Sequence, residues 1–268
     1  MKKYVIIVGL ASLLLAGCAT QSAPTKEEMA SFRPINTQLA FDDPKPIFNA
    51  LFPHGSPIRK DQLETEAEFR ARLAALGLEG KEFTFLIPPA LCKVQPFPER
   101  SFYVITVKDT FYMGYNPRNK PYGISVARIS EETDQYVGQN AYGAKADVRM
   151  YRGTYLQVAP IDFLKLPQPL RWTDGESTAF ASFGLSIKII DPAFRDKLRA
   201  EKIGLAVRVK VSDLAKMDVD YDYAKPTITN PVGFNYTKPL LPVVLLDAWI
   251  VDTDTNISLI HWHNEKKG

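Results

Sequence analysis

From about residue 82 to the C-terminus, apolar positions recur mainly at every second residue. The stretches EFTFLIP, FYVITVK, GISVARI, ADVRMY, YLQVAP, LSIKII, GLAVRVKV, PVVLLDAWIV and ISLIHW alternate or run apolar, are rich in β-branched and aromatic residues, and are bounded by Pro, Gly, Asn or Asp. A period of two places alternate side chains on one face, so each stretch predicts a short strand. ADVRMYRGTYLQVA reads as a hairpin turning near Arg152-Gly153-Thr154, and DAWIVDTDTNISLIHW as another turning near Asp254-Thr255.

The helical period is found twice. In Asp61–Gly77, Phe69, Leu73 and Leu76 make one apolar stripe, Asp61 is placed to cap the start with Glu64 three residues on, and Gly77 to end it. Glu66–Arg70 and Glu68–Arg72 are spaced as i,i+4 ion pairs. In DPAFRDKLRAEK, Asp191 suits a cap, Pro192 the first helical position, and Phe194 and Leu198 share a face. FDDPKPIFNALFPHGSPIRK, interrupted by Pro44, Pro46, Pro53 and Pro57, reads as an irregular docked loop, and the proline-rich residues 88–98 as a second loop that could set off an N-terminal subdomain. The expected class is mainly β with one or two short helices (α+β). It should form a mostly antiparallel sheet or sandwich whose helices cover an end, as a single domain over residues 41–268.

The first residues follow a different logic. Lys2 and Lys3 precede an apolar run from Tyr4 to Ala16, broken only by Gly9 and Ser12, and Gly17-Cys18 follow. A basic start, a short apolar middle and a small-residue cleavage point are the features of an export signal, and the middle falls short of the ~20 apolar residues a spanning helix needs. Leu15-Ala16-Gly17-Cys18 resembles the lipobox of bacterial lipoproteins. The resemblance implies removal of residues 1–17, a diacylglycerol on the Cys18 sulfur and acylation of the new amino terminus. Several chains on one residue give a stable anchor where one does not. An Asp directly after the cysteine favours inner-membrane retention in such lipoproteins. The residue here is Ala19, which points to the outer membrane, facing the periplasm. Residues 18–40 then read as the lipidated anchor and a flexible tether.

Removing Lys2 and Lys3 from 33 basic residues leaves 31 against 30 acidic ones. A nucleic-acid partner would call for a basic stripe, and none is visible, so the expected partners are the membrane, through the lipid on Cys18, and an envelope protein or the cell wall. With Cys18 lipidated, Cys92 is the one remaining thiol, so no intramolecular disulfide can form. It reads as a small buried hydrophobe, with intermolecular pairing as the alternative.

Candidate chemistry is sparse. No GxSxG, P-loop, CxxC or HExxH occurs, and Ser101, Ser125 and Ser186 stand in or beside strands without a nucleophile-elbow pattern. No cofactor is expected. His261 and His263 flank Trp262, so period two puts both imidazoles on one face, a spacing used by some zinc sites. A third ligand would come from elsewhere, with Asp247 or Asp252 on the partner strand as candidates. MDVDYDYAKP and VDTDTNIS echo the start of a calcium loop but lack its Gly and Glu. The first reads as a solvated face and the second as a turn. Aromatics concentrate in DTFYMGYNPRNKPYG, where Phe111, Tyr112, Tyr115, Arg118 and Tyr122 form a candidate binding patch. The expected function is therefore a non-catalytic binding or structural role in the envelope. The alternatives are a periplasmic hydrolase or metal-dependent enzyme whose site assembles from distant residues, and a carrier of an apolar ligand.

Overall fold

The computed structural model describes residues 36–53, 56–97, 102–108, 111–112, 123–139, 142–161, 163, 166, 170–172, 180–188 and 192–264. In chain order the strands are β1 (Glu82–Ile87), β2 (Cys92–Phe97), β3 (Phe102–Val107), β4 (Phe111–Tyr112), β5 (Ile124–Gln139), β6 (Lys145–Pro160), β7 (Arg171–Trp172), β8 (Phe180–Lys188), β9 (Ile203–Val211), β10 (Asp218–Ala224), β11 (Val232–Asp252) and β12 (Ile257–His263). The helices are α1 (Pro44–Leu51), α2 (Glu66–Ala75) and α3 (Pro192–Arg199). The class is the expected one, strands with short helices. The large sheet is mixed, however, and the small one antiparallel. Among the described residues no helix is long and apolar enough to cross a membrane.

The large sheet is organised by β11, 21 residues long. Its first half runs parallel to β6 and antiparallel to β10, and its second half antiparallel to β9 and β12. β1 adds to β9 and β5 to β6, giving the order β1-β9-β11-β6-β5. In the second sheet β3 pairs β2 on one side and β8 on the other, and β8 also takes up β4 and β7. Ile105, Val107, Phe183 and Leu185 of the small sheet pack against Leu205, Val207, Val209, Leu241 and Val243 of the large one, all buried. The helix α3 links β8 in one sheet to β9 in the other, so β8, α3 and β9 do not form a parallel crossover within one sheet.

Several local expectations are corrected. ADVRMYRGTYLQVA is not a hairpin but the greater part of β6. A Cβ on Gly153 would lie 2.7 Å from the Ser130 carbonyl oxygen and 3.4 Å from the Tyr236 ring. Glycine is needed there for close approach of neighbours across the sheet, the second standard reason for glycine in a strand. The polar stretch SEETDQYVGQ, unassigned by period, completes β5. The docked loop contains α1, in which Asp43 accepts from the Lys45 amide, Pro44 opens the helix, and Ile47 and Leu51 are buried. Prolines at a helix start do not break it.

The proline-rich residues 88–98 supply a 3-10 turn and β2, whose Cys92 and Leu91 belong to the common core. The helix at Asp61–Gly77 begins later, at a capping box of Thr65 and Glu68, while Asp61 and Glu64 close a separate turn ahead of it. Gly77, at φ 61°, ends it as expected.

Candidate functional site

Along β11, Leu241, Val243 and Leu245 point into the core, and strict alternation would send Asp247 there as well. It does not go there, because Leu245 pairs Val209 while Asp247 pairs Arg208, so β11 spends two residues where β9 spends one. After this bulge Ala248 and Ile250 face the core, and Trp249 and Val251 join Ala206 in a small cluster separate from it. Bulges characteristically re-aim a side chain in this way. Here the effect is to turn a carboxylate from the core toward His261, His263 and Arg208.

On the neighbouring strand His263 stands opposite Asp247, and His261 opposite Trp249. A second irregularity, at Ile250/Val251, sets the phase of β12. His261 Nε2 and His263 Nδ1 each donate to the same oxygen, Asp247 Oδ1, at 2.7 Å. Arg208 grips the other oxygen, Oδ2, through Nε at 2.7 Å and Nη2 at 2.6 Å. The His261 ring lies stacked on Trp249 with centroids 5.1 Å apart and planes within 8°. The Asp247 side chain is 2% exposed, that of His261 22% and that of His263 45%, so the cluster opens to solvent at His263. Burial on its own would raise the Asp247 pKa, but the hydrogen bonds from both histidines and the Arg208 charge more than offset it and hold the carboxyl below its ordinary range. The three donor atoms lie within 4.8 Å of one another.

Asp247, named from sequence as a candidate third ligand, thus joins the two histidines. Asp252 does not. Its carboxylate faces Lys197 and accepts from the Asp254 amide, forming the turn that leads into β12. Arg208 and Trp249 carried no sequence signal, since their roles depend on strand pairing and on the bulge.

A second feature is the β5–β6 ribbon. The last pairing between β6 and β11 is Arg149 with Val232, whereas β5 and β6 stay paired out to Gln139 and Lys145. Lys145–Val148 and their partners therefore overshoot the sheet by about 13 Å at ~3.3 Å per residue. Tyr136, Val137 and Tyr142 are 51%, 64% and 96% exposed on this arm. Nearer the sheet, Tyr155 meets Tyr236 edge-on at 5.3 Å, Phe234 stacks on Tyr236 at 5.5 Å, and the Arg128 guanidinium lies over Tyr155.

The patch expected from sequence is described only in part. Phe111 and Tyr112 form β4 against β8, while their side chains, together with Tyr115, Arg118 and Tyr122, lie outside the described residues. So do Cys18, the tether up to residue 35, His54 and Ser101. Ser125 is buried and accepts from Gln157 at 3.0 Å. In MDVDYDYAKP the three aspartates stand on β10, with Asp220 opposite Lys238 and Asp222 3.4 Å from the Lys238 ammonium, so a lysine faces the acidic row.

No protein-family model, curated protein or solved structure matches the chain.

Proposed function

We propose that the chain is a lipid-anchored protein of the cell envelope, held through Cys18 to the outer membrane on its periplasmic side, with a non-catalytic role in binding a protein or cell-wall partner. The anchor rests on the lipobox-type start at Lys2–Cys18. The observation that carries the binding role is the β5–β6 arm. A two-stranded ribbon extending past its sheet adds little to the core, yet this one displays Tyr136, Val137 and Tyr142 to solvent. Exposed aromatic side chains of this kind are what interface hot spots are made from.

The test is site-specific photo-crosslinking in the bacterium that produces the full-length protein, with the photo-reactive residue replacing Tyr142 or, as control, the exposed Lys216. A discrete crosslinked partner at 142, absent at 216 and depleted by Cys18→Ala, is the expected result. Equal patterns at both positions would overturn the role of the arm.

A further inference from the structure

We propose that Asp247, His261 and His263 form a binding site for a divalent transition metal of the zinc type, with Arg208 and Trp249 as positioning residues. Two imidazole nitrogens and one carboxylate oxygen are ligands of the kind zinc takes. Sites with three protein ligands leave a fourth position for water or substrate. The opening at His263 supplies that access.

Three features set this cluster apart from a chance meeting of polar groups. The bulge at Leu245/Asp247 is the device that brings the carboxylate to this side of the sheet. Arg208 occupies Oδ2 alone, leaving Oδ1 as a single-oxygen ligand facing both histidines. Trp249 fixes the plane of the His261 ring. Conserving ligand orientation through such supporting contacts is a general property of metal sites.

Ligand atoms ~2.0–2.1 Å from a tetrahedral ion sit roughly 3.3 Å apart, against 2.7 Å for each N–H to oxygen contact here and an N-to-N separation within 4.8 Å. Entry of the ion therefore spreads each nitrogen–oxygen pair by roughly 0.6 Å and sets the two imidazole nitrogens to the same spacing, with His263, the more exposed of the two, as the residue that adjusts. The histidines bind as neutral rings, the proton passing from Nε2 to Nδ1 in His261 and from Nδ1 to Nε2 in His263. Glu82, 3.9 Å from Arg208, adds negative charge on the far side of the guanidinium.

The test uses the full-length protein in detergent, stripped with chelator and titrated with zinc sulfate by calorimetry, and separately with cobalt(II) followed by visible absorption. Expected are one equivalent of zinc, the intense ligand-field bands of four-coordinate cobalt, and displacement of those bands by zinc. His263→Gln should remove the calorimetric event while His54→Ala keeps it, with melting curves confirming that both variants fold. Absence of zinc binding in the wild-type protein, six-coordinate cobalt spectra, or undiminished binding in His263→Gln would each overturn the site. The cobalt spectrum is read on the wild type, so the outcome does not depend on any variant folding.

Discussion

Cys92 illustrates how a single group acquires its properties from its place in the fold. The residue is buried in the core, its sulfur 3.7 Å from the Ile87 carbonyl oxygen, and burial pushes the thiol up to about 12. A thiol that stays protonated is a poor nucleophile, so intermolecular pairing through Cys92 requires unfolding first. In the Cys18→Ala protein, where it is the only cysteine, maleimide should leave Cys92 unlabelled under native conditions and label it fully in denaturant. Rapid native labelling would show that the core around β2 opens.

Glu64 is the opposite case, since Arg72 donates to both its carboxylate oxygens, at 2.9 and 2.8 Å, and holds it at about 2 against an ordinary 4.5. A carboxyl lowered in the folded state stabilises above its ordinary value and loses that contribution as pH falls toward the folded one. The melting temperatures of wild type and Glu64→Gln should therefore differ at neutral pH and converge between about 4.5 and about 2. A constant difference would mean that the Glu64 charge is not involved. Arg72 spends itself on Glu64 while Glu68 turns back onto Thr65, so of the two i,i+4 pairs read from spacing only Glu66–Arg70 forms.

At the scale of elements, the clear cases in the sequence were those where local pattern and tertiary setting agree. β1 alternates because one face is the more deeply buried, β3 and β9 run apolar because both their faces are largely covered, and the β11–β12 turn falls where Asp254 and Thr255 placed it, closed by Asn256 at φ 56°. Elements whose stability comes from neighbours were hidden. The outer half of β5 is polar because both its faces meet water, and it is a strand only because β6 pairs with it. α1 hid behind prolines that in fact start it.

Gly153 was read as a turn because glycine is ambiguous between φ > 0 and close packing, and only the cross-strand neighbours decide. Gly153 is not among the positive-φ glycines, so the cost of Gly153→Ala comes from packing: against the Ser130 carbonyl oxygen at 2.7 Å the added methyl should cost about 1–3 kcal/mol, measurable by urea unfolding. For the candidate site, periodicity supplied the pairing of His261 with His263, and the partner strand offered Asp247 and Asp252 as alternatives for a third ligand. Periodicity could not supply the bulge that makes Asp247 and the two histidines converge, because a bulge is a relation between two strands.

At the scale of the molecule, apolar burial is uneven. The second half of β11, with β9 beside it and the small sheet over it, is almost wholly buried, whereas from Arg128 onward β5 is nearly all exposed. Local opening free energies follow such differences, from near zero in exposed ribbons up to the global value in the core. The exposed edge of β5 leading to the arm carries protection against indiscriminate pairing. Glu131, Glu132 and Asp134 lie along it, and its ladder to β6 is bulged at Ser125/Ala127 and Arg128/Ser130. Charges and bulges on an edge strand resist edge-to-edge association. Under the binding role proposed for the arm, an edge that does not recruit further strands leaves contact with a partner to the side chains at its end.

Hydrogen exchange read by mass spectrometry separates this design from a self-associating one. Peptides covering residues 131–148 should exchange at least about 100-fold faster than those covering 203–211 and 243–252, a gap corresponding to roughly 2.7 kcal/mol in opening free energy, and should do so independently of protein concentration. Protection of the arm that rises with concentration would instead mean that its edge pairs with a second copy. Slow exchange confined to the arm after the crosslinked partner is added would place the partner on it.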